Sequence, residues 1–250
     1  MRIDRRALIQ FFDGDDKAGP YAAAIKAVAG EELGLALLVE FLRRDGKNAT
    51  CVQRTCTTGG KGHRLDGWGR AEADDGRITL YQVEVKLWAR HSVLNEGRQP
   101  QNAEPLVQRQ RKSKLPDDAS ADVVRDYKVH RWSQYWDDRI GFKQKALCKV
   151  LDEDMKPPKL KPPECNARVE PLACLWDAVH PTGELAPWFP VTVPVDSKGS
   201  WITADPRRFT RVWVFSMSAF LRNLDDRELT LDLSATSERL QWLNRIFPHA

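Results

Sequence analysis

Along residues 80 to 87 the apolar side chains Tyr81, Val83, Val85 and Leu87 alternate with Gln82, Glu84 and Lys86. This is the period of two of a β-strand with one apolar and one polar face. Residues 21 to 44 are helical in composition, interrupted at Gly30 and closed by Gly46, which predicts two helices or one kinked helix. In the second part Glu31 shares a face with Leu35, Leu38 and Leu42. Glu40 instead lies with Ala36, Arg43 and Arg44, in place to pair with Arg44 at i,i+4. Residues 1 to 12 predict a short helix entered at Asp4 and followed by a Gly/Asp-rich turn at residues 13 to 16, and residues 49 to 57 read as a strand.

Farther along, residues 121 to 153 give a long helical pattern in which Val129, Trp132, Trp136, Ile140 and Leu147 form one stripe, a spacing that favours core packing over a stacking platform. The proline-rich residues 156 to 163 predict an extended connector. Residues 169 to 179, 188 to 195 and 211 to 215 have strand character, and residues 234 to 247 predict a closing helix capped by Ser234 or Thr236. Helix, hairpin, helix and further strands make an α/β pattern with a mixed sheet. Residues 1 to 155 would form a core with a long helical insertion, and residues 156 to 250 would complete or extend the same domain.

The polar face of the strand at 80 to 87 carries the candidate chemistry. Glu84 and Lys86 point the same way, setting a carboxylate that can bind a hard cation beside an ammonium that can steer a water or a phosphate, with Gln82 in support. Upstream, Asp66 supplies a second carboxylate, and Asp74-Asp75-Gly76 is a strong turn signal between the two segments. Register decides whether the two acids meet. A two-residue loop at Asp75-Gly76 would pair Asp66 with Val85 and turn it to the wrong face. A three-residue loop with Gly76 in the left-handed region sets Asp66 opposite Glu84 and Leu65 opposite Val85.

Composition narrows the setting. The chain has 250 residues, a net charge of +4 and 30% charged residues, enough for one large domain with only a mild lean toward polyanions. No apolar run approaches the length of a membrane span, so a cytoplasmic protein with no membrane partner is expected. Its five cysteines, Cys51, Cys56, Cys148, Cys165 and Cys174, are scattered and odd in number, which argues against a disulfide framework. Zinc at Cys51, Cys56 and His63 would lack both the usual spacing and a fourth ligand.

Asp66 followed by Glu84-Val85-Lys86 on adjacent strands, behind a helix that begins Gly30-Glu31-Glu32-Leu33-Gly34, resembles the restriction-endonuclease-like superfamily of PD-(D/E)xK nucleases over about residues 20 to 92. Leu65 stands where the proline of the family's name would be. The resemblance implies a restriction-endonuclease-like core with a mixed sheet flanked by helices, and a nuclease dependent on Mg2+ or Mn2+. In it Asp66, Glu84 and a helix glutamate, Glu31, would hold the metal, and Lys86 would position or activate the water. DNA is the substrate expected ahead of RNA, with restriction, phage defence, repair or a mobile element as the setting and a homodimer or a larger complex as the assembly. Candidate nucleic-acid contacts are Lys61, His63 and Arg64 in and after the glycine-rich loop at 59 to 62, Arg90 beyond the strand, and Arg109, Arg111 and Lys112 in a basic run. Such a run is also what a solvated surface provides. The contrasting expectation is a non-catalytic nucleic-acid-binding or assembly module on the same fold. The intact trio Asp66, Glu84 and Lys86 separates the two.

Overall fold

The computed structural model describes residues 2–13, 19–53, 65–87, 120, 149–152, 155, 167–178, 180, 186–192 and 209–232. Turn chemistry sets the central hairpin, formed by β3 (Gly67–Glu72) and β4 (Ile78–Lys86). Gly76 sits at φ +78°, its N–H donates to the carbonyl of Ala73, and Ala73 N–H donates to Arg77. A three-residue loop, residues 74 to 76, therefore closes a ladder running from Glu72 opposite Ile78 to Gly67 opposite Val83. The ladder ends at that pair: Asp66 N–H bonds to Val83 O, and Leu65 packs with Trp68 and Leu80 while Val85 lies in a different cluster, so the pairing of Asp66 with Glu84 and of Leu65 with Val85 expected from the loop length does not continue in register.

β2 (Asn48–Gln53) flanks β3, and the sheet continues beyond β4 through β5 (Arg168–Leu175), β7 (Arg211–Ser216) and β6 (Trp188–Thr192). The spatial order is β2-β3-β4-β5-β7-β6. β4, β5 and β7 are mutually parallel, and the outer pairs are antiparallel. This is an α/β architecture with a mixed sheet, in which β4 is an interior strand with both edges paired.

α2 (Gly19–Arg44) covers one face of the sheet. Its Leu35, Ala36, Leu38 and Leu42 pack with Tyr81, Val83 and Val85 of β4, Leu172 and Cys174 of β5, and Phe215 of β7. Gly30, expected to interrupt this helix, lies inside one continuous helix. It is there because the helix touches β4: a Cβ at Gly30 would fall 1.5 Å from Leu87 Cδ1, and one at Gly34 would fall 2.6 Å from Val85 Cγ1. The helix ends as its sequence predicts, with Gly46 at φ +76°, Gly46 N–H donating to Arg43 and Lys47 N–H to Leu42, the paired bonds of a glycine C-cap. Glu40 and Arg44 make the expected i,i+4 ion pair at 2.7 Å.

A second apolar cluster lies on the other face, where Leu65, Trp68, Leu80, Ala173, Leu175, Phe189, Val212 and Val214 pack with Val150, Leu151 and Met155. Residues 149 to 152 form a turn, with Asp152 N–H bonded to Lys149 O, and are not part of the helix expected over residues 121 to 153, whose other residues up to 148 lie outside those described. The same element order holds parts with little signature of their own. β1 (Arg2–Asp4) pairs with β8 (Glu228–Thr230) in a two-stranded sheet. α1 (Arg5–Asp13) begins where Asp4 Oδ1 caps Ala7 N–H at 2.8 Å. α3 (Met217–Arg222) follows β7 directly and buries Met217, Ala219, Phe220 and Leu221. The proline-rich connector at 156 to 163, the tryptophan stripe and the closing helix at 234 to 247 lie outside the described residues. Among those that are described, no helix is long and apolar enough to cross a membrane.

Candidate active site

β4 is paired on both edges and buried on both faces from Leu80 to Val85. Gln82 and Glu84 on its polar face are each 1% exposed, as well buried as the valines opposite. A carboxylate carried into such a place is costly unless its lone pairs find donors. Glu84 meets that condition by half. Its Oε1 accepts from Lys86 Nζ at 2.6 Å and from Lys149 Nζ at 2.9 Å, whereas Oε2 is buried with no hydrogen-bond partner among the described residues.

Asp66 stands just before β3, where it takes over as hydrogen-bond partner at the end of the ladder. Its backbone N–H donates to Val83 O, and its Oδ2 accepts from Val85 N–H at 2.7 Å. Both contacts are to β4 and bracket Glu84 in sequence. Lys86 Nζ lies 3.9 Å from Asp66 Oδ2 and also donates to Val85 O. The two lysines are the more open members of the group, so the ammonium ends form its mouth and the carboxylate of Glu84 its floor.

Gln82, one turn of the pleat before Glu84, uses its amide nitrogen twice. Its Nε2 donates to Val150 O at 3.2 Å and Asp152 O at 3.0 Å, pinning the turn that carries Lys149 against β4. The charges act on one another accordingly. Burial, reinforced by the nearby Asp66, holds the Glu84 carboxyl above its usual range despite Lys86 and Lys149. Burial works against the charge on Lys149, but the bond to Glu84 and the fields of Glu84, Asp66 and Glu31 outweigh it and raise that lysine.

The structure thus brings Asp66, Glu84 and Lys86 into one cluster with Gln82 beneath. Glu31 is half-buried on α2, and what ties it to the cluster is its field on Lys149. Its neighbour Glu32 is buried. Lys61, His63, Arg64, Arg90, Arg109, Arg111 and Lys112 lie outside the described residues, as do Cys56, Cys148 and Cys165. Cys51 donates its thiol to Trp68 O, and burial pushes it up to about 11. Lys149 was not foreseen: it approaches Glu84 across 65 residues of sequence, and no local pattern marks it.

Among the described residues no three His, Cys, Asp or Glu side chains form a ready metal cage. A hard cation here would have Asp66 and Glu84 as its protein carboxylates, and the unpartnered Glu84 Oε2 is the atom that fits it. No family model, no curated protein and no solved structure matches the chain.

Proposed function

We propose that the protein is a metal-dependent nuclease that hydrolyses phosphodiester bonds, DNA ahead of RNA, on a restriction-endonuclease-like core. The observation that carries this proposal is the buried, half-satisfied carboxylate of Glu84 between Asp66 and Lys86. A buried polar atom without a partner is not by itself a site, since Arg5 Nε is another among the described residues; what supports a cation here is that this oxygen lies beside a second carboxylate, Asp66, and an ammonium, Lys86.

Mg2+ or Mn2+, when bound by Asp66 and Glu84, would supply Lewis-acid polarisation of the scissile phosphate. Glu84 contributes charge from a rigid interior strand, so its position is set by both neighbouring ladders and not by a loop. Asp66 is fixed by the Val85 N–H. Lys86, which bonds Glu84 and lies within 4 Å of Asp66, orients the water and neutralises charge growing on the phosphate. Glu31 adds negative charge at the periphery of the cluster.

The test is incubation of the purified protein with supercoiled plasmid, linear duplex, single-stranded DNA and RNA, each in Mg2+, Mn2+ or EDTA. Cleavage of at least one substrate that EDTA abolishes is expected. Binding without cleavage under every metal would replace the proposal with that of a non-catalytic module.

A further inference from the structure

We propose that Lys149 is a built-in counter-cation of this site: it balances Glu84 in the metal-free protein, a divalent cation displaces it, and the released ammonium then meets a phosphate of the nucleic acid. The proposal rests on the metal-dependent nuclease proposed above and assigns a role to a residue from a distant part of the chain.

Two ammonium groups converge on one oxygen, Glu84 Oε1, while Oε2 has none among the described residues. Lys86 alone could hold the carboxylate, since it is the nearer and comes from the same strand. The second lysine is delivered at some expense of structure. Val150 and Leu151 are buried in the second core cluster, and Gln82 spends its amide on the carbonyls of Val150 and Asp152. Two residues of one strand face therefore act together, Gln82 holding the turn and Glu84 receiving its lysine. Lys149 itself is about a third exposed, so its stem can swing outward while the turn stays in place.

Charge then predicts behaviour. Each ammonium on Glu84 cancels attraction that would draw a cation, so metal alone binds weakly. A phosphodiester at the mouth offers Lys149 another anion and lets it leave Glu84, so metal and nucleic acid strengthen each other's binding by the same factor. A purely structural ion pair would do neither.

The experiment is titration of Mn2+ by electron paramagnetic resonance, without nucleic acid, on the full chain and its Lys149→Met, Lys149→Arg and Glu84→Gln variants, with plasmid cleavage in Mg2+ measured alongside. Methionine keeps the aliphatic stem and removes the charge. Lys149→Met should bind Mn2+ roughly five- to tenfold tighter than the parent, in the range usual for coupled sites, yet cleave more slowly, and Lys149→Arg should restore weak binding. Opposite signs for affinity and rate are what loss of structure cannot produce. Equal or weaker Mn2+ binding by Lys149→Met overturns the role of Lys149 while leaving the site standing. Equal binding by the parent and Glu84→Gln overturns the site itself, and this proposal with it. If Lys149→Met does not fold, the parent decides: its Mn2+ affinity should rise about fivefold or more when a short duplex is added, and no rise overturns the proposal.

Discussion

The two faces of β4 are equally buried and differently built. Under α2, Tyr81, Val83 and Val85 pack in one apolar cluster with the leucines of the helix, and Gly34 lets the helix approach Val85 closely. On the other face Leu80 joins the second core, but Gln82 and Glu84 bring to the same depth an amide whose Nε2 serves two carbonyls and a carboxylate with one oxygen unpartnered among the described residues. One face is settled by shape and the other by charge. The lesson is that burial alone does not distinguish scaffold from site on this strand. What distinguishes them is whether the polar groups are satisfied within the fold.

Substitutions on the two faces should therefore fail in different ways. The largest effect is expected at Lys86→Ala, with cleavage falling by roughly 10² to 10⁴ while the thermal midpoint and nucleic-acid affinity stay near the parent's. Lys86→Arg should not restore the rate, because a guanidinium neither occupies the same point nor gives up a proton. Parent-like cutting by Lys86→Ala would make this face ordinary scaffold. On the apolar face, Gly34→Ala forces a methyl against the stiff, β-branched Val85 and should cost about 1 to 3 kcal/mol in urea unfolding, with cleavage per folded molecule unchanged. An unchanged midpoint would show that α2 is not held as closely as Gly34 implies.

A smaller effect of opposite sign is expected at Glu84. Its carboxyl is raised above the ordinary 4.5 in the fold, so the protonated form is the one the fold favours. Its contribution to stability is full below that ordinary value and is lost as pH rises through the folded value. Glu84→Gln should accordingly stabilise the metal-free protein at neutral pH by about 0.5 to 2 kcal/mol, and the gain should vanish in acid, as thermal melts at a series of pH values would reveal. Destabilisation at neutral pH would mean that the lysines need the full negative charge. The smallest effect is chemical: with its thiol pushed up to about 11, Cys51 should react with iodoacetamide at pH 8 far more slowly than in the unfolded chain. Mass spectrometry of the labelled peptides checks this.

Much of the hairpin was legible because two periods agree. Alternation placed Glu84 and Lys86 on one face, and the Asp74-Asp75-Gly76 loop fixed the register of the ladder as far as Gly67; Asp66 joins them through its own bonds to Val83 and Val85, which no pairing rule foretells. Gly30 misled because a glycine's role depends on what approaches it. In sequence it resembles a break, and in the fold it is the space for Leu87. That both faces of β4 are buried was not legible either, since polar residues at every second position are also what a half-exposed strand carries. β1, β8 and α3 are three to six residues long, and such elements exist only through the tertiary contacts around them. Lys149 is the extreme case, positioned by a turn that Gln82 holds from a distant strand.

The central claim is that Asp66 and Glu84 together hold a divalent metal. The most direct test is a crystal soaked in Mn2+ and measured at a wavelength where manganese scatters anomalously. The account predicts an anomalous peak between the two carboxylates, against Glu84 Oε2, with Lys149 turned away from Glu84. A peak only near Cys51, or no peak at the carboxylates in crystals of active protein, would contradict it.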